Sequence, residues 1–364
     1  MDKKNYDIIY CLMIPDLGVA GLAKLVNKYG SYSNVRYMLQ KEDMPFKGIS
    51  KAGREAVMSG QVEKDTDKAI KLMKKEDIKL CTIEDDEYPI ALLDMENPPP
   101  MLFYKGEMKQ KERRVAVIGA RACSHYGMYV AEEIGRKCGQ YGITTVSGLA
   151  EGVDGLVHWN TAQNEGRTIA VLAGNLEKPY PENNRKLIKP ILDAGGCVMT
   201  EVPPGKVIHK RDFILRNRLI AGLSNVLVVV EAGKKSGCFS TVDYMNDIGR
   251  DTYAVPGNIT SLRSEGTNKM IQQGAHIYTS YDDFLIDTGL GAFAKKQPGF
   301  TANGIELSNL DRRILAEVQY SPSTVEQIAE QFSMDVDSVM QSLTFLALFG
   351  EVTEVTPGWF VAKS

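Results

Sequence analysis

The sequence predicts an α/β fold whose centre is a mostly parallel sheet covered by helices on both faces. Short β-type runs alternate with amphipathic segments between residues 111 and 287, and each run is continuously apolar, as buried parallel strands require. The runs are Val115–Gly119, Ile143–Ser147, Thr168–Leu172, Cys197–Thr200, Val226–Glu231, Thr252–Val255 and Ala275–Tyr278. Parallel neighbours joined in this way imply right-handed crossovers, so the expected architecture is a Rossmann-like, doubly wound sheet.

Helices are expected between these strands, where apolar residues recur at helical spacing. They lie near Tyr126–Cys138, Gly152–Asn164, Glu182–Leu192, Phe213–Gly222, Ser240–Ile248 and Thr267–Gln273. Glycines stand where several of them should end. Pro190 falls inside the third segment and is expected to kink or shorten that helix.

Residues 1–100 are expected to form a helical domain of the SAM-like or helix-hairpin type, ahead of a sheet domain at 101–287. Apolar residues recur near helical spacing in Ile14–Val26, and a charged helix is expected at Val62–Lys75. The run Pro98–Pro100 suits neither a helix nor a central strand, so it marks the domain edge. Contact with DNA and a packing or protein-contact role both stay open for the helical domain.

Residues 288–304 are expected to be a glycine-containing linker, and residues 305–364 to form a winged helix. The expected elements are two helices opened by capping boxes, a third helix and a hairpin, at Ser308–Asp311, Ser323–Glu326, Asp335–Leu348, Val352–Val355 and Trp359–Val361. The third helix contains no lysine or arginine. From Asn303 onward there are nine acidic residues and three basic ones, which favours a protein-contact or regulatory role over binding in a DNA groove.

Composition narrows the classes of function. The 364 residues carry a formal net charge of −3, so contact with nucleic acid would depend on a local basic patch. The six cysteines form no C-x-x-C pair, so no zinc or other metal site is expected. No secretory signal is recognisable and no run of about 18 apolar residues occurs, so a cytoplasmic protein without a membrane partner is expected.

Small and hydroxylated residues follow several predicted strands, at positions that suit an anion. The candidate phosphate-binding residues in these turns are Gly119, Arg121, Ser147, Gly148, Ser236, Gly237, Ser240 and Thr241. Glycines let backbone N–H groups approach an anion, and Arg121 suits a single phosphate. Because the carboxyl ends of parallel strands meet at one edge, the turns are expected to line one site. Neither G-x-G-x-x-G nor the P-loop pattern occurs, and no cofactor is implied.

Asp154 and His158 stand four residues apart at the start of the helix that follows the second strand. This spacing places both on one helix face, where they could hydrogen-bond to each other. A bond that structures the loop is favoured over acid–base chemistry.

The strongest electrostatic feature is a cationic cluster around one aromatic residue. Its members are Lys206, His209, Lys210, Arg211, Phe213, Arg216, Asn217 and Arg218, with Asp212 as the single acid. Cations that follow phosphates, with an aromatic face that stacks a base, are the combination that single-strand binders use. Arg216 and Arg218 point in different directions on a helix, so one could reach phosphate while the other pairs with an internal carboxylate.

Six motifs occur in order along the sheet domain. They are GAR at 119–121, SGLAEGVD at 147–154, RTIAVLAGNLEKPYPENN at 167–184, FILRNRLIAGLS at 213–224, VVVEAGKKSGCFST at 228–241 and YAVPGNI at 253–259. Together they resemble the DNA-processing protein A (DprA/Smf) family over about residues 110–285. The expected three-part layout also resembles that of the longer members of the family.

This resemblance implies binding of single-stranded DNA during natural transformation and recombination, protection of the strand from nucleases, and help in loading the RecA recombinase. It also implies a homodimer formed through the Rossmann-like domain and no catalytic activity. By motif position, Arg121 would contact phosphate, while Lys210, Arg211 and Phe213 would contact DNA. Glu151 departs from the family pattern, because many members carry arginine there.

A Rossmann-like enzyme that binds or hydrolyses nucleotides is the main alternative, because nucleotide phosphoribohydrolases have a related fold. Those enzymes carry P-G-G-x-G-T-x-x-E, whereas the corresponding turn at Ala232–Gly237 lacks the paired glycines and the glutamate. A transcription regulator is the second alternative. It is disfavoured because the expected third helix of the C-terminal domain has no cation to neutralise phosphate.

Overall fold

The computed structural model describes residues 3–41, 49–290, 301–302, 305–306, 308–320, 322–332, 334–356 and 358–362. The chain forms two compact units, residues 1–294 and 295–364. Most of the predicted linker at 288–304 lies outside the described residues. Within the described ranges, no helix has the length and apolar character needed to cross a lipid bilayer.

A nine-stranded sheet forms the centre of the first unit, in the order β1-β2-β6-β5-β4-β3-β7-β8-β9. The strands are β1 Lys79–Thr82, β2 Met101–Gly106, β3 Arg114–Ile118, β4 Thr144–Ser147, β5 Thr168–Val171, β6 Cys197–Thr200, β7 Val226–Val229, β8 Thr252–Ala254 and β9 His276–Ile277. Strands β3 to β9 pair in parallel with their neighbours among themselves. The predicted α/β fold with a mostly parallel sheet is therefore confirmed.

Strands β1 and β2 correct the prediction that the chain is helical to about residue 100. β1 pairs antiparallel with β2, and β2 pairs antiparallel with β6. An apolar run of about four residues is too short for its periodicity to separate strand from helix. The backbone of Lys79–Thr82 finds its partners in Met101–Tyr104, and such a distant pairing leaves no local pattern in the sequence.

Helices surround the sheet on both faces. In the first unit they are α1 Lys3–Met13, α2 Val19–Tyr29, α3 Tyr32–Leu39, α4 Lys51–Met58, α5 Gln61–Lys75, α6 His125–Tyr141, α7 Val153–Gln163, α8 Ile188–Asp193, α9 Lys210–Leu223, α10 Cys238–Asp247, α11 Glu265–Gln272 and α12 Tyr281–Thr288. Pro190 lies in the short α8, and the preceding Glu182–Leu187 is a 3₁₀ helix, so the segment is shortened as expected.

Side chains of β3 alternate between two cores. Val115 and Val117 pack with α6 and α7 on one face, and Ala116 and Ile118 pack with α9 and α10 on the other. Phe103 of β2 joins the core that the N-terminal helices build. Strands β3 to β8 are buried along their whole length, as expected for parallel strands covered on two faces. Both residues of the edge strand β9 are exposed, so the predicted burial does not extend to that strand.

The order of the strands creates a switch point beside β3. Strands β4, β5 and β6 are added on one side of β3, and β7, β8 and β9 on the other. Ligands of open α/β sheets bind at the carboxyl ends of the strands, next to such a point. The loops after β3, β4, β5 and β7 lie at this edge of the sheet, and they contain most of the candidate phosphate-binding residues that the sequence predicts in turns.

The second unit contains helices and two small antiparallel sheets. Its elements are β10 Thr301–Ala302, β11 Ile305–Glu306, α13 Asn309–Tyr320, β12 Ser323–Thr324, α14 Val325–Phe332, α15 Val336–Leu348, β13 Val352–Thr356 and β14 Trp359–Ala362. The sequence predicts an acidic second unit from nine acidic and three basic residues. The side chains of three of these twelve lie outside the described residues: Glu306, Arg312 and Lys363.

The two predicted capping boxes of this unit have different outcomes. The box Ser308–Asp311 forms reciprocally at the start of α13. The box predicted at Ser323–Glu326 is wrong by one residue, because it forms at Thr324–Gln327. Ser323 instead pairs with Phe360 as part of β12, so the helix begins one position later.

Candidate nucleic-acid interface

A small, partly open cleft lies at the carboxyl ends of the parallel strands. It is lined by Arg121, Gly148, Ala150, Glu151, Tyr180, Pro181, Phe213 and Arg216. The loops after β3, β4 and β5 and helix α9 supply this lining. The fold thus brings together four of the candidate residues, which are Arg121, Gly148, Phe213 and Arg216.

Arg216 forms a buried wall of the cleft. Its guanidinium donates from Nη1 to the carbonyl oxygen of Gly148 at 2.8 Å and also to that of Val171. Burial lowers the pKa of Arg216 to about 10, and the nearby carboxylate of Asp154 opposes this shift. The group is still cationic at neutral pH, so it ties β4 and β5 to α9 and adds positive potential behind the cleft.

Asp154 structures the loop after β4. Its Oδ2 accepts hydrogen bonds from the backbone N–H of Gly148 at 3.0 Å and of Ala150 at 3.3 Å. Burial raises the pKa of Asp154, while Arg216 and these backbone donors oppose that shift. A carboxylate that binds two loop amides beside a guanidinium holds the cleft open in one shape.

The predicted hydrogen bond between Asp154 and His158 is wrong. His158 Nδ1 lies 2.7 Å from Thr168 Oγ1, so the imidazole joins α7 to β5 instead. Burial lowers the pKa of His158 to about 3, and Arg216 lowers it further in the same direction. The ring is therefore neutral in the folded protein, and it serves the interior rather than the cleft.

The segment Pro181–Leu187 braces the same loop from outside. Asn184 Nδ2 donates to the carbonyl oxygens of Leu149 at 3.0 Å and Ala150 at 2.7 Å, and Asn183 Nδ2 donates to Glu151 Oε1 at 2.8 Å. These asparagines are not among the site residues predicted from the sequence. The run of polar residues within the third motif was their only signal.

Gly152 ends the loop with a conformation that other residues rarely adopt. Its φ is 74°, and a Cβ built there would come within 2.3 Å of the Ala120 carbonyl oxygen. Glycine is therefore required for the loop after β4 to pass against the loop after β3. This close passage carries Arg121 and Glu151 to the same cleft.

Tyr180 and Phe213 form an aromatic pair at the mouth of the cleft. Their ring centroids are 5.7 Å apart and their planes meet at 80°, while 62% of Tyr180 is exposed. Phe213 is positioned by the start of α9, where His209 and Asp212 form a capping box. Sequence reasoning missed Tyr180, because only the fold brings the loop after β5 to α9.

The cationic cluster divides into exposed and internal members. Lys210 and Arg211 are exposed, although Arg211 pairs with Asp16 at 3.1 Å. Lys206 donates to the Leu12 carbonyl oxygen, and burial lowers the pKa of its ammonium group. Lys206 therefore joins α1 to the loop after β6.

Arg218 is the second internal cation of α9. It pairs with Glu201 and donates to the Asn97 carbonyl oxygen at 2.8 Å. Burial raises the pKa of Glu201, while Arg218 opposes the shift. Asn217 between the two arginines donates to Ser240 Oγ at 2.9 Å, which joins α9 to α10.

The remaining predicted hydroxyls are used inside the fold. Ser147 Oγ donates to the Val117 carbonyl oxygen at 2.6 Å, and Ser240 Oγ donates to that of Gly237 at 2.8 Å. Ser236 Oγ accepts from a backbone N–H, and Thr241 is buried. None of these four side chains lines the cleft.

An internal carboxylate occupies the helix N-terminus at the switch point. Glu231, which is 2% exposed, accepts hydrogen bonds from Ser124 N at 2.9 Å and from Ser124 Oγ. A Cβ on Gly127 would come within 2.5 Å of this carboxylate, and one on Gly119 would come within 2.7 Å of Val153. The start of α6, where a nucleotide phosphate would bind in this fold, is thus already neutralised.

Comparison with known proteins places the first unit in a family. Residues 79–289 match the model of the family described as DNA recombination-mediator protein A. The chain belongs to this family. The match begins at β1 and ends just after α12, so the recombination-mediator region includes the two strands that the sequence analysis missed.

Individual members of the recombination-mediator family are similar over most of their length. Protein Smf of Synechocystis is 30% identical over 76% of this chain and 78% of its own. The crystal structure of DprA from Streptococcus pneumoniae aligns with a TM-score of 0.64 and 31% identity, over 79% of this chain and 99% of that one.

A second solved structure is that of DNA processing protein A from Helicobacter pylori. It aligns with a TM-score of 0.53 and 29% identity, over 59% of this chain and 97% of that one. That structure concerns the single-stranded DNA binding mode of the Helicobacter protein.

Proposed function

We propose that this protein binds single-stranded DNA in the cleft at the carboxyl edge of its sheet. The observation that carries the proposal is the meeting of Arg121, Arg216 and the Tyr180–Phe213 pair in one cleft. Cations that bind phosphate beside aromatic rings that stack bases are typical of sites for single strands. The Helicobacter relative, whose structure concerns a binding mode for single-stranded DNA, supports the same ligand.

The exposed side chains suggest a path for the strand. Arg121 lies in the cleft and is exposed, and Lys210 and Arg211 stand at the first turn of α9, three and two residues before Phe213. A phosphate near these cations would leave its base beside the aromatic pair. Bases in a duplex are already stacked and paired, so an exposed ring gains little from them, which favours single strands.

Further roles follow from the family resemblance. A bound strand would be shielded from nucleases, and the protein would help to load RecA onto it during transformation and recombination, acting in the cytoplasm as a homodimer. We include the three-part layout in the proposal, with a SAM-like domain at 1–100, a Rossmann-like domain at 101–287, a linker at 288–304 and a winged helix at 305–364. The acidic winged helix would contact protein rather than DNA, since four acids lie on α15 and β13 or beside them: Asp335, Asp337, Glu351 and Glu354.

Fluorescence anisotropy with a labelled oligothymidine tests the proposed ligand. Arg121→Ala and the double variant Lys210→Ala, Phe213→Ala are each expected to weaken binding by about tenfold or more, because each removes a charge-assisted hydrogen bond or a stacked base. Lys189→Ala is the matched control, since Lys189 is an exposed cation outside the cleft that pairs with Asp193.

The position of the site and the identity of the ligand are tested by different outcomes. Unchanged binding by both cleft variants would reject the cleft as the site. An equal affinity of the wild type for duplex and single-stranded DNA would reject the choice of single strands. Binding of a mononucleotide in place of any strand would instead favour the nucleotide-binding alternative.

A further inference from the structure

Glu151 places a carboxylate inside a cleft that is otherwise cationic and aromatic. The residue lines the cleft together with Arg121, Arg216 and Phe213, and its side chain is exposed. Asn183 donates to its Oε1 at 2.8 Å and so orients the carboxylate. A carboxylate repels phosphate, so its presence there calls for a ligand group that donates hydrogen bonds.

The cleft therefore has three kinds of wall. Arg121 supplies hydrogen-bond donors, Glu151 supplies acceptors, and the Tyr180–Phe213 pair supplies aromatic surface. An ionised carboxylate can accept only, whereas a guanidinium can donate only. A ligand that satisfies all three must be flat and must carry paired donors on one edge and paired acceptors on another.

Guanine is the nucleobase with that distribution of groups. Its N1–H and N2–H₂ groups are adjacent donors, and its O6 and N7 atoms are adjacent acceptors that arginine binds with two hydrogen bonds. Thymine presents one donor between two carbonyl oxygens, so a carboxylate beside it meets an acceptor. Adenine and cytosine each offer a single exocyclic amine to the carboxylate.

We propose that Glu151 makes this cleft select a guanine base of the bound strand. The inference rests on the proposed binding of single-stranded DNA and adds a base preference to it. Glu151 would accept from N1–H and N2–H₂, Arg121 would donate to the O6 and N7 edge, and Phe213 or Tyr180 would stack on the base.

Short oligothymidines that carry one central base test the preference. The wild type is expected to bind a strand with a central guanine about tenfold more tightly than all-thymine DNA, because a bidentate contact discriminates bases by this order. Deoxyinosine lacks the N2 amine, and 7-deazaguanine lacks N7. A strand with either analogue is expected to bind more weakly than the guanine strand but more tightly than all-thymine DNA. A loss with deoxyinosine assigns the N1 and N2 edge to Glu151, and a loss with 7-deazaguanine assigns the O6 and N7 edge to Arg121.

Variants of the glutamate complete the test. Glu151→Gln, which keeps the shape, is expected to lose the part of the guanine preference that depends on N2–H₂, while binding all-thymine DNA at least as tightly as the wild type. Glu151→Arg is expected to bind every strand more tightly, because a positive charge replaces a negative one beside the phosphates. The matched control Glu132→Gln changes an exposed glutamate of α6 outside the cleft and is expected to keep the preference.

The outcomes distinguish the inference from the proposed function. Equal affinity of the wild type for guanine and thymine strands would overturn the base preference and leave strand binding intact. Binding to none of the strands would overturn both. Tighter binding of free dGMP than of the guanine strand would show that the site recognises a nucleotide, and the assignment to DNA would be wrong.

Discussion

The guanidinium of Arg216 fills the space next to Gly148 where any other residue would carry its Cβ. A Cβ built on Gly148 would come within 2.6 Å of Arg216 Nη2. The same guanidinium donates to the Gly148 carbonyl oxygen at 2.8 Å. One glycine thus allows a buried cation to stand directly behind the cleft.

Gly148→Ala is expected to lower the free energy of unfolding by about 1–3 kcal/mol, because the added methyl group must displace the Arg216 guanidinium from a packed position. Weaker strand binding should accompany the loss. Urea unfolding and anisotropy measure the two effects. Gly237→Ala is the control, since nothing lies within 4 Å of its Cβ position and its φ is −63°. A change of less than about 0.5 kcal/mol is expected there, and an equal loss in both variants would contradict the argument.

Glu231→Gln tests the internal carboxylate at the start of α6. Glutamine keeps the shape but loses the charge at the helix N-terminus and offers one oxygen where Ser124 N and Oγ now bind two. A loss of about 1–3 kcal/mol in the free energy of unfolding is expected, with strand binding by the folded protein unchanged. Tighter binding of mononucleotides by the wild type than by the variant would contradict the view that this carboxylate blocks a phosphate site.

His158 predicts a dependence of stability on pH below about 6.5. Burial lowers the pKa of His158 to about 3, so the unfolded state takes up the proton first as the pH falls. His158 therefore leaves the free energy of unfolding unaffected above pH 6.5. As the pH falls from 6.5 toward 3, the free energy of unfolding decreases by up to about 1.4 kcal/mol per pH unit. Urea unfolding at pH 7 and pH 5 should show this slope in the wild type. His158→Gln should show less of it, and an identical slope in the variant would reject the assignment.

Glu112 predicts a second loss of stability at lower pH. Burial alone would raise the pKa of Glu112, but Arg114 at 3.0 Å and Arg167 at 2.7 Å outweigh it, and the pKa is lowered. Its contribution is therefore present above the ordinary value of 4.5 and is lost as the pH falls through the lowered value.

Glu112→Gln should cost about 3–5 kcal/mol at neutral pH, because Arg114 is left buried without its carboxylate. The difference in unfolding free energy between variant and wild type should shrink in acid, where the wild type also loses the charge. A difference that stays constant down to pH 3 would show that packing, not charge, accounts for the loss.

Lys210 predicts the salt dependence of strand binding. Each phosphate contact to a single strand contributes about 0.7 to the slope of log affinity against log salt concentration. Lys210→Ala should therefore reduce that slope by about 0.7, whereas Lys189→Ala should leave it unchanged. Anisotropy titrations over a range of salt concentrations measure both slopes. Equal slopes for all three proteins would place Lys210 outside the DNA path.

Much of the α/β core follows from the sequence alone. Six of the seven parallel strands, β3 to β8, are buried along their whole length because helices cover both faces of the sheet, and this burial leaves a local trace in the sequence. Both residues of the edge strand β9 are exposed, so two-sided burial does not account for that strand. Arg121, Gly148 and Phe213 could also be placed at one edge, since carboxyl ends of parallel strands meet there. Strand β1 could not be predicted, because its partner β2 begins only at Met101, and pairing between such separated segments leaves no periodic signal.

Only the tertiary structure decided which cations of the cluster are exposed. Lys206 and Lys210 are alike in sequence, yet Lys206 donates to Leu12 and Lys210 is exposed, because the N-terminal helices cover one and not the other. Tyr180 joins Phe213 for the same reason, since a loop after β5 reaches α9 only through the order of the strands. Sequence periodicity reports neighbours on one element, whereas partners far apart in the chain are set by how the elements pack.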